Sequence, residues 1–265
     1  MNIKITDDLI KRLIMIVEDA GVEIMKVYST DFDIQIKNDE SPVTLADKNA
    51  NMIIEKGLTC INESIPILSE EGKNVSYDIR NEWDYYWLVD PLDGTKDFIK
   101  KNDEFTVNIA LMKSEAPLFG IVYAPVTRVC YWGGGSVGAW KRDSEKNVAK
   151  IQVNLLLDKK VKLASSRSHP SNKMSKFLLQ FENYELCPMG SSYKICLVSD
   201  GSVDLYPRLG PTMEWDTAAS HAIIQGAGGE LLQVNNKLPL IYNKSELVNP
   251  DFIAGSIETI HGLKL

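Results

Sequence analysis

The densest chemical signal in the chain is WLVDPLDGTKDF, residues 87–98. An apolar run reaches Asp90, and Pro91 has no N–H to give to a ladder, so a strand is expected to end there. Asp93 follows three residues on, and Gly94 and Thr95 open an expected short helix. Two carboxylates then stand at one strand end, beside uncommitted N–H groups at Gly94 and Thr95 that suit an anion. The same residue types also build an ordinary capped turn, so this motif alone does not decide.

Three further segments add acids. Leu68-Ser69-Glu70-Glu71-Gly72 sets two glutamates after a short apolar strand. Glu214-Trp215-Asp216-Thr217-Ala218-Ala219 puts Asp216 at the start of a helix of small residues, and SPVTLAD (41–47) puts Asp47 in the first turn of another. Each has a plain reading: a solvated strand end, an N-cap, a favourable helix-dipole position. If they converge, four or five carboxylates share one pocket and cannot all stay ionised without a counterion. Oxygen donors with no His or Cys among them favour Mg²⁺ over Zn²⁺.

Hydrophobic periodicity supplies the elements that would carry these residues. Spacings of three and four from Leu9 to Val27 predict a helix over 7–28, with Thr6 as N-cap. FDIQIK (32–37) alternates like a strand. A second helix is expected over 44–62, with Leu45, Met52 and Ile53 inward. Short strands follow at 66–69 and 84–90, and 105–142 reads as a meander of four strands. From about 160 strands and helices alternate, which implies an α/β half. The expected division is 1–155, an α+β unit with the acidic motif, and 156–265, an α/β unit with Asp216.

Composition removes several classes. With 29 basic against 36 acidic residues, the net charge of −7 offers no basic stripe for a nucleic-acid polymer. Four cysteines without a C-x-x-C pair, and three histidines, make no zinc cluster and read as free thiols in a reducing cytosol. The N-terminal residues lack the apolar core of a signal peptide, and no stretch approaches the roughly 20 apolar residues of a transmembrane segment.

SEE at 69–71, DPLDGT at 90–95 and WDTAA at 215–219 occur in the order seen in the inositol monophosphatase superfamily of magnesium-dependent, lithium-sensitive phosphatases. The chain resembles that superfamily along nearly its whole length. The flanks SPVTLAD, DGTKDFIKKNDEFTVNIAL, SRSH (166–169), GSSYK (190–194) and LYPRLGPTMEWDTAA (205–219) look like its bacterial CysQ branch of 3′(2′),5′-bisphosphate nucleotidases. The fold implied is a layered αβαβα sugar-phosphatase fold, with a mixed N-terminal sheet and a smaller C-terminal α/β half.

The resemblance also implies roles. Glu70, Asp90 and the Leu92 carbonyl would hold one Mg²⁺, and Asp90, Asp93 and Asp216 a second; Glu70 would also face a looser third ion through water. Thr95 and Asp47 would orient and deprotonate the attacking water, and the N–H groups of Gly94 and Thr95 would bind the phosphoryl oxygens. Ser191, Lys194 and Arg208, with His169 nearby, would stand at the nucleotide end. A nucleoside bisphosphate needs such cations away from the metals for its second phosphate; an inositol phosphate does not. The expected activity is hydrolysis of adenosine 3′,5′-bisphosphate to AMP and phosphate, with an inositol monophosphatase or a sugar-phosphate phosphatase as alternatives. A calcium-binding module and a scaffold with acidic caps are the non-catalytic alternatives. The expected partner is a small phosphate ester. The expected location is cytoplasmic, with peripheral attachment to the inner membrane face and a homodimer both compatible.

Overall fold

Thr6 caps helix α1 (Asp7–Tyr28): its hydroxyl accepts the Leu9 N–H at 3.2 Å, and Asp7 and Asp8 sit at the positive end of the helix. The computed structural model describes residues 3–30, 34–36, 42–157, 159–166 and 172–264. Leu13, Val17, Ala20 and Ile24 are at the centre of the buried stripe of α1, as the periodicity requires.

Strands β1 (Ile34–Ile36) and β2 (Pro42–Thr44) pair antiparallel and lead into α2 (Leu45–Ile61). The inward face of α2 differs from expectation. Leu45 and Met52 point outward, 54% and 61% exposed. The buried face is Ala46, Asp47, Ala50, Asn51, Ile54 and Leu58. Gly57, where a Cβ would lie 2.6 Å from Ile16 Cγ1, lets α2 lie close against α1, and the face that α2 buries also turns Asp47 inward.

β3 (Ile67–Ser69) pairs parallel with β4 (Tyr85–Asp93), and α3 (Tyr77–Arg80) fills the polar loop between them. After α4 (Thr95–Ile99) come β5 (Thr106–Lys113), β6 (Ala116–Ala124), β7 (Val129–Gly134) and β8 (Gly138–Arg142). This is the expected antiparallel meander, and β9 (Val148–Ile151) completes a seven-stranded sheet in order β3-β4-β5-β6-β7-β8-β9. Alternation splits β4 cleanly: Tyr85, Trp87 and Val89 join the core under α1 and α2, whereas Tyr86 and Leu88 face the opposite side.

On that opposite side lie β10 (Val161–Ser166), α5 (Asn172–Leu178), β11 (Tyr184–Met189), α6 (Tyr193–Ser199) and β12 (Tyr206–Arg208). They are followed by α7 (Ala218–Gly226), β13 (Glu230–Gln233), β14 (Phe252–Gly255) and α8 (Ile257–Gly262). β10 and β11 pair parallel, and β12-β14-β13 form an antiparallel sheet. Ile195 of α6 and Ile223 of α7 share a core with Tyr86 and Leu88 on one side and Phe252 on the other. Phe177 of α5 and Ile260 of α8 cover the outer side, on Leu163 and Ile253. Helices, large sheet, helices, smaller sheets and outer helices make the layered αβαβα fold. Among the described residues no helix is long and apolar enough to cross a membrane.

Helix α7 rests on the large sheet at Gly120. A Cβ at that position would lie 2.0 Å from the Ala219 carbonyl oxygen. Only a hydrogen fits there, so glycine sets the depth of α7 and with it the place of Asp216, two residues before the helix. Gly120→Ala is expected to overpack this contact at a cost of about 3 kcal/mol. A thermal melt should show a midpoint lower by roughly 5–10 °C, with weaker activation by Mg²⁺; an unchanged midpoint would contradict the close-packing account.

Candidate active site

Asp90 and Asp93 are three residues apart, which on a regular strand puts them on opposite faces. The pairing with β5 resolves this. Asp90 lies opposite Asn108 and Asp93 opposite Thr106, so three steps on β4 match two on β5. The extra residue is a β-bulge at Pro91 and Leu92, and it returns both aspartates to the face covered by α6 and α7. The strand does not end at Asp90, as the proline suggests, but resumes pairing at Asp93. Gly94 then turns the chain with φ +95°, a conformation that glycine adopts freely, and α4 begins at Thr95.

The other acids arrive from separate elements. Glu70 follows β3, and its N–H donates to the Val89 carbonyl at 3.1 Å, which brings it level with Asp90. Asp216 stands in the turn before α7, where one of its oxygens accepts the Met213 N–H at 2.9 Å. That turn is fixed by buried Glu214, which accepts the N–H groups of Asn243 at 2.7 Å and Lys244 at 3.1 Å. One carboxylate oxygen from each of Glu70, Asp90 and Asp216 lies within 4.8 Å of the other two. Asp93 adjoins this trio, and these acids line one cavity of about 290 Å³.

Burial and mutual repulsion act together here. Asp90 is pushed well above the usual carboxylate range by burial first, then by Glu70, Asp93, Asp216 and Asp47. Asp216 is raised by burial and by Asp93. Asp93 is raised by burial, against the opposing pull of Lys194 and the Ser192 N–H. Hard oxygen donors buried and crowded so that their carboxyls are held above the usual range are a donor set that fits a divalent cation, and Mg²⁺ better than Zn²⁺.

Asp90 Oδ1 accepts the Leu92 N–H at 3.0 Å, and the Thr95 hydroxyl donates to the Leu92 carbonyl at 3.3 Å. Gly94 and Thr95 line the cavity. Asp47 is buried and is not among the lining residues of the cavity, although its charge acts on Asp90. Ser191, Lys194 and Arg208 line the same cavity, and the charges of Lys194 and Arg208 act on Asp93. Lys194 is buried, donates to the carbonyls of Ser191 at 2.7 Å and Met189 at 3.1 Å, and is lowered by burial to about 8. Arg208, at the end of β12, donates to the Pro211 carbonyl at 2.6 Å, and its buried Nε has no partner among the described residues. His169 lies outside the described residues.

Sequence reasoning missed Lys96, Asn108 and Ser192. Lys96 lines both this cavity and a second, more apolar one of about 910 Å³ that continues from it past Tyr206 and Arg208. Asn108 is a buried amide between apolar neighbours Val107 and Ile109, a signal visible in FTVNIALM.

The sequence profile of the inositol monophosphatase family matches residues 6–262. The chain belongs to the inositol monophosphatase family. Within that family, the 3′(2′),5′-bisphosphate nucleotidase CysQ of Salmonella typhimurium strain LT2 is 41% identical over 246 residues, 92% of this chain and 98% of that one. CysQ of Escherichia coli strain K12 is 42% identical over 247 residues, with the same coverage of 92% and 98%. The crystal structure of CysQ from Bacteroides thetaiotaomicron, described as a bacterial member of the family, matches with a TM-score of 0.83 at 39% identity. It covers 93% of this chain and 96% of that one.

Proposed function

We propose that this family member is a magnesium-dependent 3′(2′),5′-bisphosphate nucleotidase, a phosphoric monoester hydrolase that converts adenosine 3′,5′-bisphosphate to AMP and phosphate. The observation that carries the reading is the meeting of Glu70, Asp90 and Asp216 in a cavity that Lys194 and Arg208 also line. The apolar continuation of that cavity, with Met174, Leu178 and Leu186 on its walls, has room for a base. An inositol ring needs neither the cation pair nor that extension. The activity named for the CysQ relatives supports the same choice.

The two halves of the chain divide the work. The N-terminal half, residues 1–155, supplies Asp47, Glu70, Asp90, Asp93 and Thr95; the C-terminal half, residues 156–265, supplies Asp216 and the substrate clamp. Two Mg²⁺ are assigned, one to Glu70, Asp90 and the Leu92 carbonyl, the other to Asp90, Asp93 and Asp216, with Glu70 also facing a looser third. Bound cations neutralise phosphoryl charge and acidify water. Thr95 and Asp47 orient the attacking water and take its proton. The N–H groups of Gly94 and Thr95 hold phosphoryl oxygens. Water attack forms a new P–O bond as the bond to the ribose 3′ oxygen breaks, and that oxygen leaves with a proton. Ser191, Lys194 and Arg208 grip the 5′ phosphate, and His169 is assigned to the same nucleotide end. A cytoplasmic location goes with this reading.

The test is phosphate release from adenosine 3′,5′-bisphosphate, inositol 1-phosphate and fructose 1,6-bisphosphate under identical Mg²⁺. The bisphosphorylated nucleotide should have the highest kcat/KM; preference for either sugar phosphate would overturn the reading. A narrower test isolates the clamp. A charge-assisted hydrogen bond is worth about 1.5–3 kcal/mol, so Arg208→Ala should raise KM for the bisphosphate roughly 10- to 100-fold. KM for inositol 1-phosphate should change little. Equal effects would show that Arg208 does not read the second phosphate.

A further inference from the structure

Three buried polar side chains outside the ligand and clamp assignments meet between the two halves of the site. Ser192 is 4% exposed, Asn108 1% and Thr106 0%. The Ser192 hydroxyl donates to Asn108 Oδ1 at 2.8 Å. It lies 2.9 Å from the Thr106 hydroxyl. A hydroxyl has one proton, so Thr106 is the donor in that second bond.

The circuit closes on a single oxygen. Asn108 Nδ2 donates to Asp93 Oδ2 at 3.5 Å, and the Ser192 N–H donates to the same Oδ2. Ser192 thus holds Asp93 twice, directly through its backbone and indirectly through Asn108. Both donors fall on Oδ2, and Oδ1 carries no hydrogen bond among the described residues, which leaves that oxygen available to a cation. Neutral donors that orient a carboxylate in this way typically matter 10- to 100-fold for metal affinity or activity.

On its other side Ser192 continues directly into the clamp. Ser191 is held at φ +53°, a conformation uncommon for a residue with a side chain. Its carbonyl accepts Lys194 Nζ at 2.7 Å, and the Gly190 N–H is fixed by Glu104 at 2.8 Å. An anion gripped by Ser191 and Lys194 therefore acts on a segment whose next residue is bonded to Asp93. Binding energy from a remote substrate group accelerates the reaction when it orders the reacting centre.

We propose that Ser192 is a positioning residue that couples the second-phosphate subsite to Asp93, so that the remote phosphate of the substrate raises kcat as well as lowering KM. This rests on the nucleotidase reading. Mutation therefore has a signature that loss of packing alone does not produce: a change in the ratio of kcat values for two substrates that differ only in the remote phosphate.

The experiment measures kcat, KM and the Mg²⁺ activation constant with adenosine 3′,5′-bisphosphate and adenosine 3′-monophosphate. The proteins are wild type, Ser192→Ala and Thr106→Val, each checked by thermal melting. Wild type should turn over the bisphosphate at least about 10-fold faster at saturation. Ser192→Ala should lose activity on both substrates but more on the bisphosphate, bringing the ratio near 1, and its Mg²⁺ activation constant should rise. Thr106→Val, which keeps the side-chain volume, should lower the ratio partway. A folded Ser192→Ala with the wild-type ratio overturns the coupling. If that variant does not fold, an unchanged ratio in Thr106→Val overturns it instead. Equal wild-type kcat values on both nucleotides also overturn the coupling and leave the nucleotidase reading standing, whereas no release from the bisphosphate at all removes that reading.

Discussion

Replacing Asp90 with asparagine is expected to lower kcat by about three orders of magnitude, the scale of losing a principal electrostatic group in a preorganised site. Asp90 occupies the centre of the acidic set, and its charge is felt together with those of Glu70, Asp93, Asp216 and Asp47. Asparagine has nearly the same shape and keeps an oxygen for the Leu92 N–H, which Asp90 accepts at 3.0 Å. The fold should therefore survive. Without added metal the variant should melt at or above the wild-type temperature, because one of several crowded carboxylates has been removed. Asp93→Asn should behave alike in turnover. Near-wild-type kcat in either protein would remove the metal assignment, and loss of activity through unfolding would show as a lowered melting point.

Withdrawing divalent metal should abolish phosphate release and expose a dependence of stability on pH. Asp90, Asp93 and Asp216 are all raised above their ordinary values, burial being the leading cause in each. The folded chain therefore holds more protons on them than the unfolded chain does. Stability is then lost as pH rises from the ordinary carboxylate range, near 4, through the raised values. Chelator-treated protein should melt at a lower temperature at pH 7 than at pH 5.5, and this slope should flatten in Asp90→Asn. Lys194, lowered to about 8, has the opposite sign and adds stability only at higher pH. Saturating Mg²⁺ at about 100 times its dissociation constant contributes about 2.7 kcal/mol. That corresponds to a rise in midpoint of roughly 5–10 °C at pH 7, with a smaller rise at pH 5.5, where protons compete. A metal-induced shift independent of pH would contradict the assignment of these carboxylates as the ligands.

Much of this arrangement is readable in the sequence because local signals suffice for it. The α1 stripe from Leu9 to Val27 and the turn-separated strands from Phe105 onward follow from periodicity, and both are present. The three acidic motifs are short and lie at element ends, where local pattern and position coincide. What stayed hidden depends on partners distant in sequence. The outward rotation of Leu45 and Met52 goes with the packing of α2 on α1, where Gly57 meets Ile16. The bulge that brings Asp90 and Asp93 to one face becomes visible only in the pairing with Asn108 and Thr106. Ser192 reads as an ordinary residue of GSSYK until its N–H is found on Asp93, 99 residues away.

The most direct measurement is an anomalous-scattering map from crystals grown with Mn²⁺ and phosphate. Peaks should lie among the carboxylates of Glu70, Asp90, Asp93 and Asp216, with the phosphate between them and the Gly94–Thr95 turn. A fully occupied crystal in which Mn²⁺ sits elsewhere on the protein, and these four side chains diverge, would contradict the account.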